Sequence, residues 1–268
     1  MLLKRRLSVL WAPAIMVLTV MACSGIALAI TSGKVDGSEH PNVGALVDVP
    51  RRGDPQPYCT GTLISPTVFL TAGHCYPEKG NTSYVTFDEE TTSTLYLGTF
   101  HDSPNGGGDI AVVVFDEPIK GIEPAQLPTE GQFDNVDKGQ EFTAVGYGGH
   151  PVRKKSGRPV MVYDDQREWA VSTFKSVNRY HLRLSQDPNQ GYGGTCVGDS
   201  GGPNFFGADE PVSVGQHQGA VGSVTKNETD VIAGITITGD YWCRNNSVTL
   251  RLDTKSARDF LGDYITLP

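Results

Sequence analysis

Residues 198–203 of this 268-residue chain read Gly-Asp-Ser-Gly-Gly-Pro, a glycine-rich turn built around one serine. A serine hydroxyl becomes a nucleophile only when a base takes its proton and nearby donors receive the developing oxyanion. Glycines on both sides of Ser200 let the backbone approach a carbonyl closely and point its N–H groups at it. Taken alone, the stretch is equally compatible with an ordinary turn, because Gly-Asp and Ser-Gly are common turn dipeptides.

Two further stretches supply the groups that such a serine requires. Residues 71–75, Thr-Ala-Gly-His-Cys, follow an apolar strand, so His74 lies where a strand meets a loop. Asp109 directly precedes the apolar run 110–114, and a carboxylate beside a buried strand is costly unless it is hydrogen-bonded. An imidazole is the partner that this requirement favours. The three residues follow one another as histidine, aspartate and serine.

The rest of the chain consists of short apolar runs separated by turn residues, with 32 glycines and 17 prolines. Runs of this kind, rich in Val, Ile, Thr and aromatic residues, predict the strands of a barrel or sandwich. The predicted strands are residues 62–72, 84–87, 110–115, 142–145, 181–184 and 231–238. Helical spacing occurs between residues 254 and 265, with Thr254 as the N-cap. The fold class predicted is all-β with a C-terminal α-helix.

With the three motifs in this order, residues 30–268 resemble the trypsin/chymotrypsin family of serine proteases. Residues 61–65, Gly-Thr-Leu-Ile-Ser, and 145–148, Val-Gly-Tyr-Gly, add weaker matches. The resemblance implies two six-stranded antiparallel β-barrels, at about residues 30–130 and 131–268, with the active site between them. A polar segment at residues 127–139 agrees with that division.

The resemblance also implies the roles of the site residues. His74 is the general base and then the general acid, Asp109 holds its tautomer, and Ser200 forms the acyl-enzyme. The backbone N–H groups of Gly198 and Ser200 make the oxyanion hole. Protein or peptide substrates are the implied partners, the implied oligomeric state is a monomer, and no cofactor or metal is implied.

Residues 1–29 have the composition of a signal peptide. Three basic residues at positions 4–6 precede an apolar run, and Ala-Leu-Ala at 27–29 is the small-residue pattern that signal peptidase cuts. We therefore expect secretion and no stable membrane association after cleavage. The alternatives are an uncleaved membrane anchor and lipidation at Cys23. Loss of the three basic residues takes the formal charge from −8 to −11, and so acidic a chain does not favour a nucleic-acid partner.

The chain has five cysteines, of which Cys23 lies in the predicted leader. The four cysteines that remain are an even number, which favours disulfides in an exported chain. Spacing alone leaves three ways of pairing them open. No cysteine and histidine spacing typical of a metal site is present. The family resemblance implies the pairs Cys59–Cys75 and Cys196–Cys243.

Cleavage after residue 29 would create a new N-terminus at Ile30. The sequence Ile-Thr-Ser-Gly at 30–33 resembles the mature N-terminus of the family. By that resemblance we expect the Ile30 ammonium to pair with Asp199 and to order the oxyanion loop, so that export itself activates the enzyme. A buried pair of this kind is costly to break by removing one partner.

The resemblance further places the base of the specificity pocket at Gly194, one wall at Thr238 and Gly239, and the far side near Ser247. These residues are uncharged and predict an open pocket for a large apolar or aromatic side chain. Asp240 leaves a second interpretation open, because a carboxylate reaching the pocket would favour a basic residue instead.

Parts of the sequence are also compatible with two other classes of protein. Residues 198–202 also satisfy the G-x-S-x-G pattern of α/β-hydrolases, but that fold requires the order serine, acid, histidine and a helix after the serine. A non-catalytic binding protein on the same scaffold stays open as the alternative function, because a fold does not fix a function.

Overall fold

The computed structural model describes residues 30–49, 55–78, 80–90, 94–104, 108–153, 159–163, 165–209 and 227–268. The predicted leader, residues 1–29 with Cys23, lies outside the described residues. Within the described ranges, no helix is both long enough and apolar enough to cross a membrane.

The first part of the chain forms a closed six-stranded barrel. A two-residue strand, β1 (Lys34–Val35), precedes it, and the barrel consists of β2 (Val43–Asp48), β3 (Gln56–Ser65), β4 (Val68–Thr71), β5 (Thr82–Thr86), β6 (Tyr96–Asp102) and β7 (Ala111–Phe115). All pairs are antiparallel, in the order β2-β3-β4-β7-β6-β5. Its strands carry fully buried side chains such as Leu46, Leu70 and Val112, so the interior is a packed core.

The second part forms another six-stranded antiparallel barrel. Its strands are β8 (Glu141–Gly146), β11 (Glu168–Val177), β12 (His181–Ser185), β13 (Pro203–Phe206), β14 (Ile232–Gly239) and β15 (Asn246–Arg251), and a separate hairpin is formed by β9 (His150–Arg153) and β10 (Pro159–Val162). The order is β11-β12-β15-β14-β13-β8, and pairing of β8 with β11 closes the barrel. Strand β1 pairs with β11 from outside, and α1 (Lys255–Leu261) follows the last strand.

The predicted all-β class, the two barrels and the C-terminal helix are therefore confirmed. The run 62–72 was predicted as one strand, but it contains the end of β3 and all of β4, which are separated at Pro66 and Thr67. Proline has no N–H to donate to a sheet, so it favours the turn. Thr254 caps α1 by accepting from the N–H of Ala257, as predicted, although the helix ends at Leu261.

Buried charges attach the segment before the first barrel to both barrels. Arg167, which precedes β11, forms an ion pair with Asp36 at 2.7 Å and donates to two backbone carbonyls of the first barrel. The ring of His40 contacts Asp36 through Nδ1 and Glu228 through Nε2. Burial alone would lower the pKa of His40, but these two acids outweigh it and raise the pKa to about 9.

The His40 pairing predicts a loss of stability at alkaline pH. Because the folded-state pKa of about 9 exceeds the ordinary value of 6.5, this stabilisation is fully present below pH 6.5 and is lost as the pH rises through 9. We expect the free energy of unfolding to fall by roughly 2–3 kcal/mol between about pH 6 and pH 9.5 from this group. His40→Gln should lack that part of the decline. Urea denaturation in a Ser200→Ala background, which prevents self-digestion, measures it.

The control is His101→Gln, which removes a partly exposed histidine of β6 and should keep the wild-type decline. An equally steep decline in His40→Gln would show that the pH dependence has another source.

Candidate active site

His74 and Asp109 lie together at the edge of the first barrel. The Nδ1 atom of His74 is 2.7 Å from Oδ2 of Asp109, and the backbone N–H of His74 donates to Oδ1 at 2.8 Å. The side-chain hydrogen bond between His74 and Asp109 raises the pKa of His74, while partial burial acts to lower it. Partial burial of Asp109 would raise its pKa, but the bonds from His74 and Gly73 lower it. The imidazole side chain is 43% exposed to solvent.

The turn that carries Ser200 is bonded directly to the first barrel through Thr60 of β3. The N–H of Thr60 donates to the carbonyl of Ser200 at 2.9 Å, and its hydroxyl donates to the carbonyl of Gly198 at 3.0 Å. The carbonyl of Thr60 in turn accepts from the hydroxyl of Thr71 at 2.8 Å. Because Thr71 is three residues before His74, one buried threonine connects the serine turn with the histidine strand.

Gly201 brings the same two parts of the chain into contact. A Cβ atom at this position would lie 2.2 Å from Oγ1 of Thr71 and 2.6 Å from the backbone nitrogen of Ala72. Gly201 also has a positive φ of 82°, a conformation that glycine adopts without strain. Glycine is therefore required here for the serine turn to pack against the residues that precede His74.

Gly198 and Ser200, whose N–H groups are predicted to form an oxyanion hole, lie close together in the serine turn. Gly198 adopts a φ of 101°, and a Cβ there would lie 2.8 Å from Cα of Gly148. Within the described ranges, the N–H groups of Gly198 and Ser200 donate to no backbone acceptor.

Asp199 is fully buried beneath this turn. Its two oxygens accept from the N–H groups of Gly148 and Cys196, each at 2.7 Å. Burial raises the pKa of Asp199 to about 7, although these two hydrogen bonds act to lower it.

The structure contains both disulfides that the family resemblance implies. Cys59–Cys75 links β3 to the residue after His74, and Cys196–Cys243 links the serine loop to the turn after β14. Cys59, His74 and Cys75 are the only described residues that come close enough together to suggest a metal site. Both sulfurs belong to the disulfide, however, so they have no thiolate to offer an ion.

The residues predicted to form the specificity pocket lie near one another. Gly239 is directly opposite Ser247 in the pairing of β14 with β15, and Thr238 precedes Gly239. The hydroxyl of Ser247 is 2.8 Å from that of Thr195, the residue after Gly194. The predicted base, wall and far side are thus brought together, with two hydroxyl groups between them.

Gln186 was not identified from the sequence, yet it lies directly against the predicted pocket base. A Cβ at Gly194 would be only 2.5 Å from Oε1 of Gln186, and the Gln186 amide donates to the carbonyl of Thr195 at 3.2 Å. The group behind Gly194 is therefore a neutral amide. The sequence carries no signal for it, because Gln186 belongs to none of the motifs.

Asp240 is held by its own turn. Its carboxylate accepts from the backbone N–H groups of Trp242, Arg244, Asn245 and Asn246, and the bond from Asn245 measures 2.7 Å. Partial burial would raise the pKa of Asp240, but these bonds lower it. The carboxylate of Asp240 is therefore hydrogen-bonded within its own turn, to residues that follow it in the chain.

The structure is that of the uncut chain, so the predicted pairing of the Ile30 ammonium with Asp199 stays a prediction. Ile30 is fully buried, and its backbone nitrogen donates to Oε2 of Glu168 at 2.8 Å. Asp199, the expected partner, is bonded to Gly148 and Cys196. Glu168 was missed from the sequence because it is an isolated acid next to Trp169, with no motif around it.

Two closed antiparallel barrels, with a histidine–aspartate pair and a serine turn at their junction, define the chymotrypsin-like class of fold. In the comparison with known families, the model described as Trypsin matches residues 34–243. This match covers most of the chain, and the chain therefore belongs to the trypsin family of serine proteases.

The packing of Gly201 predicts a large difference between two glycine substitutions. Gly201→Ala should lower the free energy of unfolding by at least about 3 kcal/mol, because it adds a backbone clash to the cost of an unfavourable φ. The matched control is Gly121→Ala, where φ is 81° but a Cβ meets nothing within 4 Å. That variant should lose only about 1–2 kcal/mol. Urea unfolding of both variants in the Ser200→Ala background measures the difference, and equal losses would contradict the proposed packing.

Proposed function

We propose that the protein is a secreted serine endopeptidase that hydrolyses peptide bonds through His74, Asp109 and Ser200. The observation that carries this proposal is the 2.7 Å contact between His74 and Asp109, at an edge joined through Thr60 to the turn that holds Ser200. Membership of the trypsin family supports the same reaction.

In the proposed mechanism, Oγ of Ser200 attacks the scissile carbonyl while Nε2 of His74 takes its proton. The N–H groups of Gly198 and Ser200 stabilise the oxyanion. His74 then gives the proton to the leaving amine as the C–N bond breaks and the acyl-enzyme forms. A water molecule, deprotonated by His74, attacks the acyl-enzyme, and the proton returns to Ser200 as the acid product leaves. Asp109 stabilises the imidazolium in both halves of the reaction.

The N-terminal sequence supports the proposed secretion and activation. A cut after residue 29 would remove the predicted leader and leave Ile30 as the first residue of the mature chain. The two disulfides agree with an oxidising compartment. We propose that this single cut both releases the protein and activates it, and that the mature enzyme acts as a monomer on protein or peptide substrates.

For the residue before the scissile bond, we propose a preference for large apolar or aromatic side chains. Gly194, Thr238, Gly239 and Ser247 are all uncharged, and the group behind Gly194 is the neutral amide of Gln186. The bonds that Asp240 makes within its own turn argue against its pairing with a basic substrate residue.

The proposal predicts that a small fluorophosphonate labels the protein once, at Ser200. Intact mass of the exported protein, before and after treatment, should show a chain beginning at Ile30 and a single adduct. Ser200→Ala should show no adduct, and His74→Ala should react at least about a hundredfold more slowly, because the general base is lost. Ser185→Ala, which removes the hydroxyl of the last residue of β12, serves as the control and should label like the wild type.

A folded protein that begins at Ile30 and takes up no adduct would favour the alternative function, a catalytically inactive binding protein. A chain with a larger starting mass would instead indicate that the predicted leader cut does not occur.

The proposed pocket predicts the order of substrate preference. Peptide substrates with Phe, Tyr or Leu before the scissile bond should be cleaved with a kcat/KM at least about tenfold above that for Lys or Arg, since the pocket offers no counter-ion. Asp240→Asn should leave this ratio unchanged. A preference for Lys and Arg that Asp240→Asn abolishes would show that Asp240 reads a basic residue.

A further inference from the structure

We propose that Gln186 is a specificity-determining residue, which selects tyrosine over phenylalanine before the scissile bond by accepting a hydrogen bond from the phenol. The inference rests on the proposed function and narrows its substrate class, from large apolar or aromatic side chains to an aromatic side chain with a hydroxyl at its tip. Gln186 lies outside the positions at which the family resemblance places the pocket, which are Gly194, Thr238, Gly239 and Ser247.

Gln186 occupies the place where a side chain at position 194 would begin. It is fully buried, and a Cβ atom at Gly194 would lie 2.5 Å from its Oε1 and 3.0 Å from its Cβ. The first distance is shorter than two such atoms can approach, so glycine at position 194 leaves the room that Gln186 fills. Because Gly194 has no side chain of its own, the amide of Gln186 lies directly behind the predicted pocket base.

The strand register places Gln186 on the face of the sheet that carries Ser247. Leu184 of β12 is directly opposite Ser247 of β15, and Gln186 follows Leu184 by two residues, the spacing that returns a side chain to the same face of a strand. The N–H of Gln186 donates to the carbonyl of Asn245 at 3.2 Å, so the pairing with β15 continues past the end of β12. We call Gln186, Thr195 and Ser247 the pocket floor.

The orientation of the Gln186 amide follows from its contact with Thr195. Its Nε2 is 3.2 Å from the carbonyl oxygen of Thr195, which can accept but not donate, so the nitrogen end of the amide must face it. The oxygen end, Oε1, is thereby turned towards Gly194. This Oε1 is a buried acceptor to which no described residue donates, and a donor on a ligand would recover the free energy that such an unpaired group costs.

The two hydroxyl groups of the pocket floor supply the complementary donor. Oγ1 of Thr195 and Oγ of Ser247 lie 2.8 Å apart, and either can donate to the other. Both residues are buried, and one hydrogen bond uses only one of their two protons. The second proton is left for a ligand. The pocket floor thus offers a carbonyl acceptor and a hydroxyl donor, and its three members are neutral.

A phenol is the group that matches this pocket floor. Its O–H both donates and accepts, so it can donate to Oε1 of Gln186 and accept the second hydroxyl proton. A phenyl ring does neither and leaves Oε1 unpaired. A lysine ammonium only donates, and it would lose its hydration without meeting a counter-ion. A site that hydrogen-bonds a substrate hydroxyl rejects the analogue without it, because its own buried polar groups are then left unpaired.

The test compares three peptides that differ only in the residue before the scissile bond. The residues are tyrosine, phenylalanine and 4-methoxyphenylalanine, whose ether oxygen can accept but not donate. The readout is kcat/KM of the exported chain for each peptide, and a ratio measured on one preparation does not depend on its fraction of active protein. Fluorophosphonate labelling shows separately whether Ser200 is reactive.

We expect kcat/KM for tyrosine to exceed that for phenylalanine by about tenfold, the factor for one hydrogen bond to a buried group that is otherwise unpaired. The 4-methoxyphenylalanine peptide should show no gain over phenylalanine. Gln186→Met, which removes both polar atoms from an unbranched side chain, should make the tyrosine and phenylalanine peptides equal. Gln186→Leu serves if Gln186→Met does not fold. The matched control, Gln126→Met, makes the same change at an exposed glutamine and should keep the wild-type ratio.

Equal kcat/KM values for tyrosine and phenylalanine in the wild type would overturn the proposal, and this comparison needs no variant. A tyrosine preference that Gln186→Met leaves intact would overturn it as well, because the selecting group would then lie elsewhere. The same holds for a preference that 4-methoxyphenylalanine shares with tyrosine, since that peptide has no proton to donate.

A folded protein in which Ser200 takes up no fluorophosphonate would contradict the proposed function, and the pocket floor is then tested by binding alone. Calorimetry on the exported Ser200→Ala chain should show tighter binding of N-acetyl-tyrosine amide than of N-acetyl-phenylalanine amide, and Gln186→Met should remove the difference. Equal affinities in the chain that keeps Gln186 would overturn the proposal. Failure of the proposed function and failure of the Gln186 proposal are in this way told apart.

Discussion

The junction between the two barrels depends on Thr60, a fully buried residue of β3. Its backbone and side chain bind the carbonyls of Ser200 and Gly198, its hydroxyl accepts the N–H of Tyr147, and its carbonyl accepts the hydroxyl of Thr71. Each of these bonds replaces water around a buried polar group, and an unpaired group there would cost about 1–3 kcal/mol. The buried polar groups of Thr60 need hydrogen-bond partners from both barrels. The positions of the serine turn and of the histidine strand are therefore coupled.

Charged groups buried around this junction are each matched to a particular partner. Arg167 neutralises Asp36, and His40 lies between Asp36 and Glu228. Asp199 relies on two backbone donors. A buried charge without a partner is unfavourable by several kcal/mol, so these pairings restrict how the N-terminal segment can enter the molecule. They also explain why a segment with only a two-residue strand of its own has a defined path.

The sequence was sufficient for the parts of the fold and site that local chemistry determines. Alternating or continuous apolar runs predicted strands such as β7 and β12, and the motifs around His74, Asp109 and Ser200 supplied the candidate triad. The turn between β3 and β4 at Pro66 also depends on local sequence, although it was not predicted because apolar residues lie on both sides of it. Thr254 was identified as a helix cap because capping depends on residues only three positions apart.

Glu168 and Thr60 could not be identified by such reasoning, for one physical reason. Their partners are distant in the chain: Ile30 is 138 residues from Glu168, and Gly198 is 138 residues from Thr60. The type of a single residue does not predict which backbone group an isolated acid or threonine will contact once the two barrels have formed. Such pairings arise from the register of strands, as in the alignment of Glu168 with Gly146, and register became known only when the barrels were seen together.

The same registers link the N-terminal segment to the chemistry. Thr31 is bonded to Gly194, and the five residues that separate Gly194 from Ser200 include a disulfide cysteine and buried Asp199. A loop fixed at its start by Thr31, at Cys196 by a disulfide and at its end by Thr60 has little freedom left, so most of the entropy of ordering its backbone is lost when the chain folds. Preorganised donors stabilise a developing charge without reorganising during the reaction. Under the proposed function, the contact of Thr31 with Gly194 is therefore one of three restraints that hold the oxyanion donors in place.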